Sequence, residues 1–183
     1  MKPTTLLCSL FLLIILMLGC NNKGGASSDK NEAADSLSQN KDSTIYGTCT
    51  EAAMSSFSMV NEHNDTLFFL LEEVDTVANV QGGIFEGDKL AVVAHVVDGE
   101  MVAQKVININ SLRGRWISLD KNFEIKDDGV VESSVEAESN PYTSWRIWNG
   151  LLILSKDTFN ILQLGPDSLF LENQSGIFTY KRL

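Results

Sequence analysis

The chain has 183 residues, with 24 Asp and Glu against 14 Lys and Arg, and its formal net charge is −10. Because an acidic surface repels phosphate backbones and no cluster of Lys and Arg offsets this repulsion, we expect no nucleic-acid partner. Of the three cysteines, Cys8 and Cys20 lie in or directly after an apolar N-terminal run. Cys49 is then the one thiol left in a mature chain, which excludes an internal disulfide.

The N-terminal segment has the pattern of a secretory signal, with Lys2 before an apolar run over residues 6–18. This run is shorter than the roughly 20 apolar residues that a membrane-spanning helix needs. The sequence LMLGC resembles the bacterial lipobox, although Met17 stands where that pattern usually has Leu. The resemblance implies that residues 1–19 are removed and that Cys20 carries acyl chains such as palmitate. The alternative is a plain secretory signal with a cysteine near its end.

The segment 20–44 is rich in Ser, Asn, Gly and charged residues and contains almost no large apolar side chain. Such a segment cannot bury enough surface to offset the entropy lost on ordering, so we expect a disordered tether. A flexible coil of this length reaches roughly 25–30 Å on average. The sequence therefore predicts a folded body that is lipid-anchored to the outer membrane and faces the periplasm.

From Ile45 onward, short runs of β-branched and aromatic residues alternate with Asn, Asp and Gly, which predicts an all-β fold. In a first lobe, 45–109, the predicted strands are 45–50, 55–62, 66–72, 89–97 and 101–109, and their number favours a small OB-like barrel. In a second lobe, 110–183, they are 114–119, 123–126, 130–137, 143–148, 151–155, 158–164, 168–171 and 177–181. Asn149-Gly150 is the strongest hairpin signal in the chain. We therefore expect two small β lobes packed together.

The stretch Gly114-Arg115-Trp116 resembles the Gly-x-Trp motif that opens the first strand of lipocalins. In that family the Trp plugs the closed end of the barrel, and a basic residue at the end of the last strand covers its ring. The resemblance implies a structural plug of Gly114, Trp116 and Arg182, with Lys181 as the second choice for the cation. A cation over an aromatic face contributes about 0.5–2 kcal/mol, depending on burial.

The wider pattern of the second lobe supports this resemblance. The stretches GRWISLDKNFEIKDDGVVES, YTSWRIWNGLLILSKDTFNILQLGPDSLFLE and GIFTYKR are similar to the lipocalin-like lipoproteins of Bacteroides-type bacteria. The resemblance implies a lipocalin-like antiparallel barrel over 110–183 and a compartment, the cell envelope, rather than a particular ligand.

Three aromatic residues, Tyr142, Trp145 and Trp148, are the candidate ligand contacts. Side chains alternate across a strand, so Trp145 shares a face with Ile147 while Trp148 lies on the other face. One tryptophan should then be in the core and the other at the surface, where it could stack on a ligand. Core packing or a contact between the lobes is the alternative for each of them.

The sequence offers weaker signals for metal binding and catalysis. Cys49, Met54, Met59 and His63 are soft or borderline ligands close together in sequence, but they have no fixed spacing, and Met more often fills gaps in a core. His63 and His95 have no nucleophile motif beside them. The acidic residues Glu72, Glu73 and Asp75 are best explained as a hydrated loop. We therefore expect no metal, no cofactor and no enzymatic activity.

These patterns favour a non-catalytic protein that binds a small apolar or amphipathic ligand or an envelope protein. The alternative is an envelope scaffold or a stress- or metal-sensing lipoprotein without a ligand. An internal apolar cavity open at one end would favour the ligand carrier, and a filled barrel with an exposed aromatic patch would favour the scaffold.

Overall fold

The structure is a computed structural model that describes residues 41–72, 79–134 and 139–183. Within these ranges the chain consists almost entirely of strands in two sheets, which confirms the expected all-β fold with two small lobes. The predicted signal segment, Cys20 and most of the tether lie outside the described residues. No helix in the described ranges is long and apolar enough to cross a membrane.

The first sheet has six strands: β1 Ile45–Ala52, β2 Ser56–Asn61, β3 Thr66–Leu71, β4 Val80–Gln81, β5 Lys89–Val97 and β6 Glu100–Asn108. Their order is β3-β2-β1-β5-β6-β4. A parallel pairing of β3 with β6 closes the five strands β3, β2, β1, β5 and β6 into a barrel. The short strand β4 adds to β6 in parallel. The assignment of this barrel to the OB type stays a prediction.

Alternation along the strands fills the interior of the first barrel. In β2, Phe57 and Met59 point inward and are buried, while the serines between and before them are partly exposed. Phe57 stacks on Phe69 of β3 with the ring centroids 5.0 Å apart. The core of this lobe consists of Cys49, Phe57, Met59, Phe69, Leu90, Val92, Ala103 and Val106.

The second lobe begins with a short helix, α1 Ile109–Leu112, which lies across the predicted lobe boundary. The strands that follow are β7 Gly114–Ile117, β8 Asn122–Ile125, β9 Val131–Ser133, β10 Trp145–Trp148, β11 Leu151–Leu154, β12 Asp157–Leu164, β13 Ser168–Asn173 and β14 Gly176–Arg182. Their order is β10-β11-β12-β13-β14-β7-β8-β9, and every neighbouring pair is antiparallel. A bridge between Val130 and Ser144 brings the two ends of the sheet together, so the barrel is nearly closed.

Residues 41–183 form one unit, in which the two lobes share a junction. Ala91 and Ile107, on paired strands of the first lobe, belong to the buried core of the second lobe. Tyr46 donates a hydrogen bond from Oη to the carbonyl of Ile147 at 2.8 Å. Lys105 Nζ donates to Asn160 Oδ1 at 2.6 Å. Apolar contacts and hydrogen bonds thus hold the lobes together.

The turn between β10 and β11 is hydrogen-bonded to the residues just before β1. Asn149 and Gly150 form its turn with positive φ angles of 48° and 74°, as Asn-Gly turns require. The backbone N–H of Asn149 donates to Asp42 Oδ1 at 3.1 Å, and the Ser43 hydroxyl donates to Asn149 Oδ1 at 2.7 Å. The chain therefore enters the folded body beside this turn.

Candidate functional site

Trp116 lies at the start of the second barrel and is fully buried. Its indole N–H donates to the carbonyl of Leu112 in α1 at 2.9 Å, so the polar atom of the ring is satisfied. The guanidinium of Arg182, at the end of β14, lies 4.2 Å from the centre of the ring. The structure thus places Arg182 over Trp116, whereas Lys181 is exposed.

Arg182 is held in this position by main-chain carbonyls. Its guanidinium donates to the carbonyl of Arg113 at 2.8 Å and also to the carbonyls of Ser111 and Pro166. Burial lowers the pKa of Arg182 from its ordinary value, but a guanidinium stays charged in proteins. Gly114 passes directly beneath this group with a φ of 126°, and a Cβ at this position would collide with the guanidinium. The arrangement needs a glycine at 114 for both reasons.

Tyr142 comes from the segment between β9 and β10 rather than from a strand, and only 6% of it is exposed. Its ring packs edge-on against Phe123 and Phe159, with centroid distances of 5.3 and 6.3 Å. Phe123 in turn contacts Tyr180, with the ring centroids 5.2 Å apart. Tyr142 is therefore part of an aromatic cluster inside the barrel.

Lys121 covers Tyr142 on its other side. The ammonium lies 4.4 Å from the ring centre and donates to the carbonyl of Asn140 at 2.9 Å. Lys121 belongs to the turn at the end of β7, and α1 lies at the beginning of β7. The barrel thus has one aromatic ring under a cation near each end of this strand, Trp116 under Arg182 and Tyr142 under Lys121. Sequence reasoning missed Lys121, because nothing in the spacing links residue 121 to residue 142.

The two tryptophans of β10 have different surroundings. Trp145 is partly buried against the core of the second lobe, and its indole N–H donates to the carbonyl of Lys126 at 2.7 Å. Trp148 lies beneath the guanidinium of Arg146, which is 4.9 Å from the ring centre. The indole N–H of Trp148 is buried without a hydrogen-bond partner among the described residues. Ile147 is buried between them, in line with the alternation of the strand.

The interior of the second barrel is filled by side chains. Its buried cluster contains Trp116, Phe123, Ile125, Val131, Tyr142, Ile147, Leu152, Leu154, Phe159, Ile161, Leu164, Leu169, Leu171 and Tyr180. An open depression of about 770 Å³ lies beside β8, but its lining is largely charged and includes an ion pair between Arg113 and Asp127. A second ion pair, between Lys126 and Glu132 at 2.6 Å, lines the same depression. This depression is therefore not an apolar ligand pocket.

The soft-ligand set seen in the sequence does not come together. Cys49 and Met59 are opposite each other on β1 and β2 and are buried in the first barrel. Met54 is almost fully exposed, and His63 lies exposed in the turn after β2. Burial raises the pKa of the Cys49 thiol, which makes it a poorer ligand and nucleophile. Within the described ranges, no group of three or more His, Cys, Asp or Glu side chains could hold a metal ion.

The remaining candidates for catalysis are not combined into a site by the structure. His95 is partly buried on β5, and its Nδ1 has no hydrogen-bond partner among the described residues. Glu72 is exposed, whereas Glu73 and Asp75 lie outside the described residues. None of these positions provides a base held against a nucleophile.

Comparison with known families identifies the second lobe. Residues 108–183 match the lipocalin-like family, so this part of the chain is a lipocalin-like domain. No curated protein and no solved structure matches the chain significantly.

Proposed function

We propose that this protein is a lipid-anchored protein of the cell envelope whose lipocalin-like barrel binds a small amphipathic ligand without catalysis. The observation that carries the proposal is the position of Tyr142, a core aromatic ring that is supplied by an irregular segment and covered by a cation. Membrane attachment is supported by the lipobox-like sequence at Cys20. The non-catalytic role is supported by the separated positions of the candidate catalytic groups.

Tyr142 is the member of this aromatic cluster that lies outside the strands, whereas Phe123, Phe159 and Tyr180 lie on them. The backbone at Phe123 and Phe159 is fixed by strand pairing, so neither residue can move as a whole without loss of main-chain hydrogen bonds. Trp116 is tied to α1 by its N–H and held under Arg182. Tyr142 itself takes part in no strand pairing, so its ring can rotate while the neighbouring contacts of Thr143 and Ser144 with Val131 and Val130 stay in place. An apolar cavity of roughly 150 Å³ accepts a ligand of the size of benzene, which is comparable to the ring that would leave.

Lys121 indicates that the ligand carries an anionic group. Its ammonium already lies against the face of Tyr142, so it would lie beside any group that replaced that ring. A charge-assisted hydrogen bond from an ammonium to a carboxylate, sulfonate or phosphate is stronger than its contact with an aromatic face. The preferred ligand therefore has an aromatic or short acyl part and one anionic group.

A scaffold without a small-molecule ligand is the second candidate function. The filled interior of the barrel favours it, because every large side chain of the core is already packed. In that case the barrel serves as a rigid support, and binding takes place on the outer surface.

Calorimetric titration with benzenesulfonate, which combines one aromatic ring with one anionic group, separates the two candidates. For the full-length protein in detergent we expect binding of one probe per chain above the detergent background. In Tyr142→Ala the site is already vacant, so the affinity should rise at least tenfold, while Lys121→Met should weaken it.

Phe68→Ala is the matched control, since Phe68 is an aromatic residue on the first lobe with 54% of its surface exposed. This variant should bind the probe like the parent protein. If Tyr142→Ala remains folded and shows no gain in affinity, the barrel is not the ligand site and the scaffold is the better account.

A further inference from the structure

Tyr142 is the one buried residue in a described stretch, 139–144, that otherwise lies on the surface of the second barrel. The other residues of this stretch are exposed: Ser139, Asn140, Pro141, Thr143 and Ser144. Segments with few buried apolar contacts open locally at a low cost in free energy. Residues 140–142 therefore form an arm that inserts one ring into the barrel and is held at its two ends.

The C-terminal end of this arm is fixed by the turn between β11 and β12. The N–H of Thr143 donates to Ser155 Oγ at 2.9 Å, and the N–H of Ser155 donates to the carbonyl of Ser144 at 2.8 Å. On its other side, the carbonyl of Thr143 accepts a hydrogen bond from the N–H of Val131 at 3.1 Å. Thr143 and Ser144 are thus held from two sides and do not move with the ring.

Ser155 has a backbone conformation that serine rarely adopts. Its φ of 57° lies in the left-handed region, which glycine, Asn and Asp occupy more readily. A glycine in this turn would avoid the strain, but it would lack the oxygen that accepts from Thr143. Strained conformations persist where surrounding contacts hold them in place. The hydroxyl of Ser155 therefore has a positioning role at the fixed end of the arm.

Lys121 holds the N-terminal end of the arm and the ring at the same time. Its ammonium donates to the carbonyl of Asn140 at 2.9 Å and lies 4.4 Å from the centre of the Tyr142 ring. Between these two residues, Pro141 has a fixed φ and also restricts the residue before it. The arm is consequently stiff, and a displacement at Asn140 is transmitted to Tyr142.

We propose that residues 140–142 are a lid on the barrel, with Ser155 positioning its fixed end and Lys121 as a latch that an anionic group releases. The inference rests on the proposed function for the nature of the ligand. An anionic oxygen attracts an ammonium more strongly than a carbonyl oxygen does, because it carries a full charge. Once Lys121 pairs with the anion, Asn140 is released, and the ring of Tyr142 turns outward about Thr143. The site therefore selects ligands that carry a negative charge in addition to an apolar part.

Nitration by tetranitromethane, read out by peptide mass spectrometry, measures the opening of the lid in the full-length protein without a ligand. The chain has three tyrosines, and global unfolding exposes both Tyr142 and Tyr180, so the ratio of their labelling rates isolates the lid. In Lys121→Met the ratio should rise about tenfold, as expected for the loss of a hydrogen bond to a charged group. In Ser155→Gly, which loses a neutral hydrogen bond, the ratio should rise about fivefold.

Two further variants separate positioning from a general effect on the turn. Ser155→Asn also tolerates a positive φ and supplies a side-chain oxygen for the N–H of Thr143, so its labelling should return towards the parent rate. Asn64→Gly changes a residue with a φ of 63° in a turn of the first lobe, and it should leave the labelling of Tyr142 unchanged. A purely structural role of residue 155 would not distinguish Gly from Asn in this way.

Benzenesulfonate and its uncharged counterpart methyl phenyl sulfone test the release of the latch. In the parent protein, benzenesulfonate should accelerate the nitration of Tyr142, whereas methyl phenyl sulfone at the same concentration should leave the rate unchanged. In Lys121→Met the lid is already released, so neither compound should accelerate the nitration further.

A labelling ratio in Lys121→Met or Ser155→Gly that equals the parent ratio overturns the lid. Equal acceleration by benzenesulfonate and methyl phenyl sulfone in the parent also overturns it, because the charge would then not release the latch. Fast labelling in both variants, together with no calorimetric binding of benzenesulfonate, supports the lid and refutes the proposed ligand instead.

Discussion

Replacement of Trp116 by Ala tests whether the ring supports the second barrel. The ring is completely buried, and deletion of a buried Trp or Phe side chain costs about 3–5 kcal/mol. The variant also loses the hydrogen bond to the carbonyl of Leu112, a net contribution of about 0.5–1.5 kcal/mol. The cation–π contact with Arg182 adds about 0.5–2 kcal/mol. Because these contributions overlap, we expect a total loss of about 3–5 kcal/mol, the range measured for whole side chains.

Urea unfolding followed by tryptophan fluorescence is the assay. All three tryptophans of the chain, Trp116, Trp145 and Trp148, belong to the second lobe, so their emission reports on that lobe. Trp148→Ala is the matched control, since that ring is only partly buried, and it should lose clearly less stability.

A double-mutant cycle with Arg182→Met separates the cation–π contact from the three carbonyl contacts of Arg182. We expect a coupling energy of about 0.5–2 kcal/mol between the two positions. If Trp116→Ala costs less than about 1.5 kcal/mol, well short of the range for a buried aromatic residue, then Trp116 does not plug the barrel.

Three further predictions concern the anchor, the plug and the junction. Cys20→Ala should abolish acylation and release soluble protein, and unchanged membrane retention with lipid labelling would refute the anchor. Gly114→Ala should destabilise the protein more than Gly99→Ala in urea unfolding, because both have positive φ angles but only Gly114 lies against Arg182; equal losses would contradict this. Burial raises the pKa of Tyr46 to about 12, above the ordinary value near 10. The unfolded chain then loses the hydroxyl proton of Tyr46 at a lower pH than the folded chain does. The free energy of unfolding should therefore fall between pH 10 and 12 more steeply than in Tyr46→Phe; identical pH profiles would contradict this.

Local sequence chemistry predicted the elements that depend on neighbouring residues. The alternation in SWRIW predicted that Trp145 and Ile147 share a face, and both pack in or against the core. Asn149-Gly150 forms the expected hairpin turn. The Gly-x-Trp resemblance located Trp116, which the structure places under Arg182. These features follow from strand periodicity, turn geometry and a known motif.

Features that depend on long-range pairing were not predicted. The parallel contact of β3 with β6, the short strand β4 and the helix α1 depend on segments that lie far apart or are only a few residues long. Lys121 reaches Tyr142 across the barrel, and no sequence spacing indicates this contact. Nearness in sequence was also misleading, because Met54 and His63 lie beyond opposite ends of β2. A strand separates residues that appear clustered in the sequence.

The most direct test of the ligand-binding account is native mass spectrometry of the protein isolated from its own envelope in a mild detergent. We expect one small amphipathic anion bound per acylated chain, and its loss when Lys121 is replaced by Met. Acylated protein that carries no such molecule, from cells in which the Cys20 anchor is intact, would contradict it.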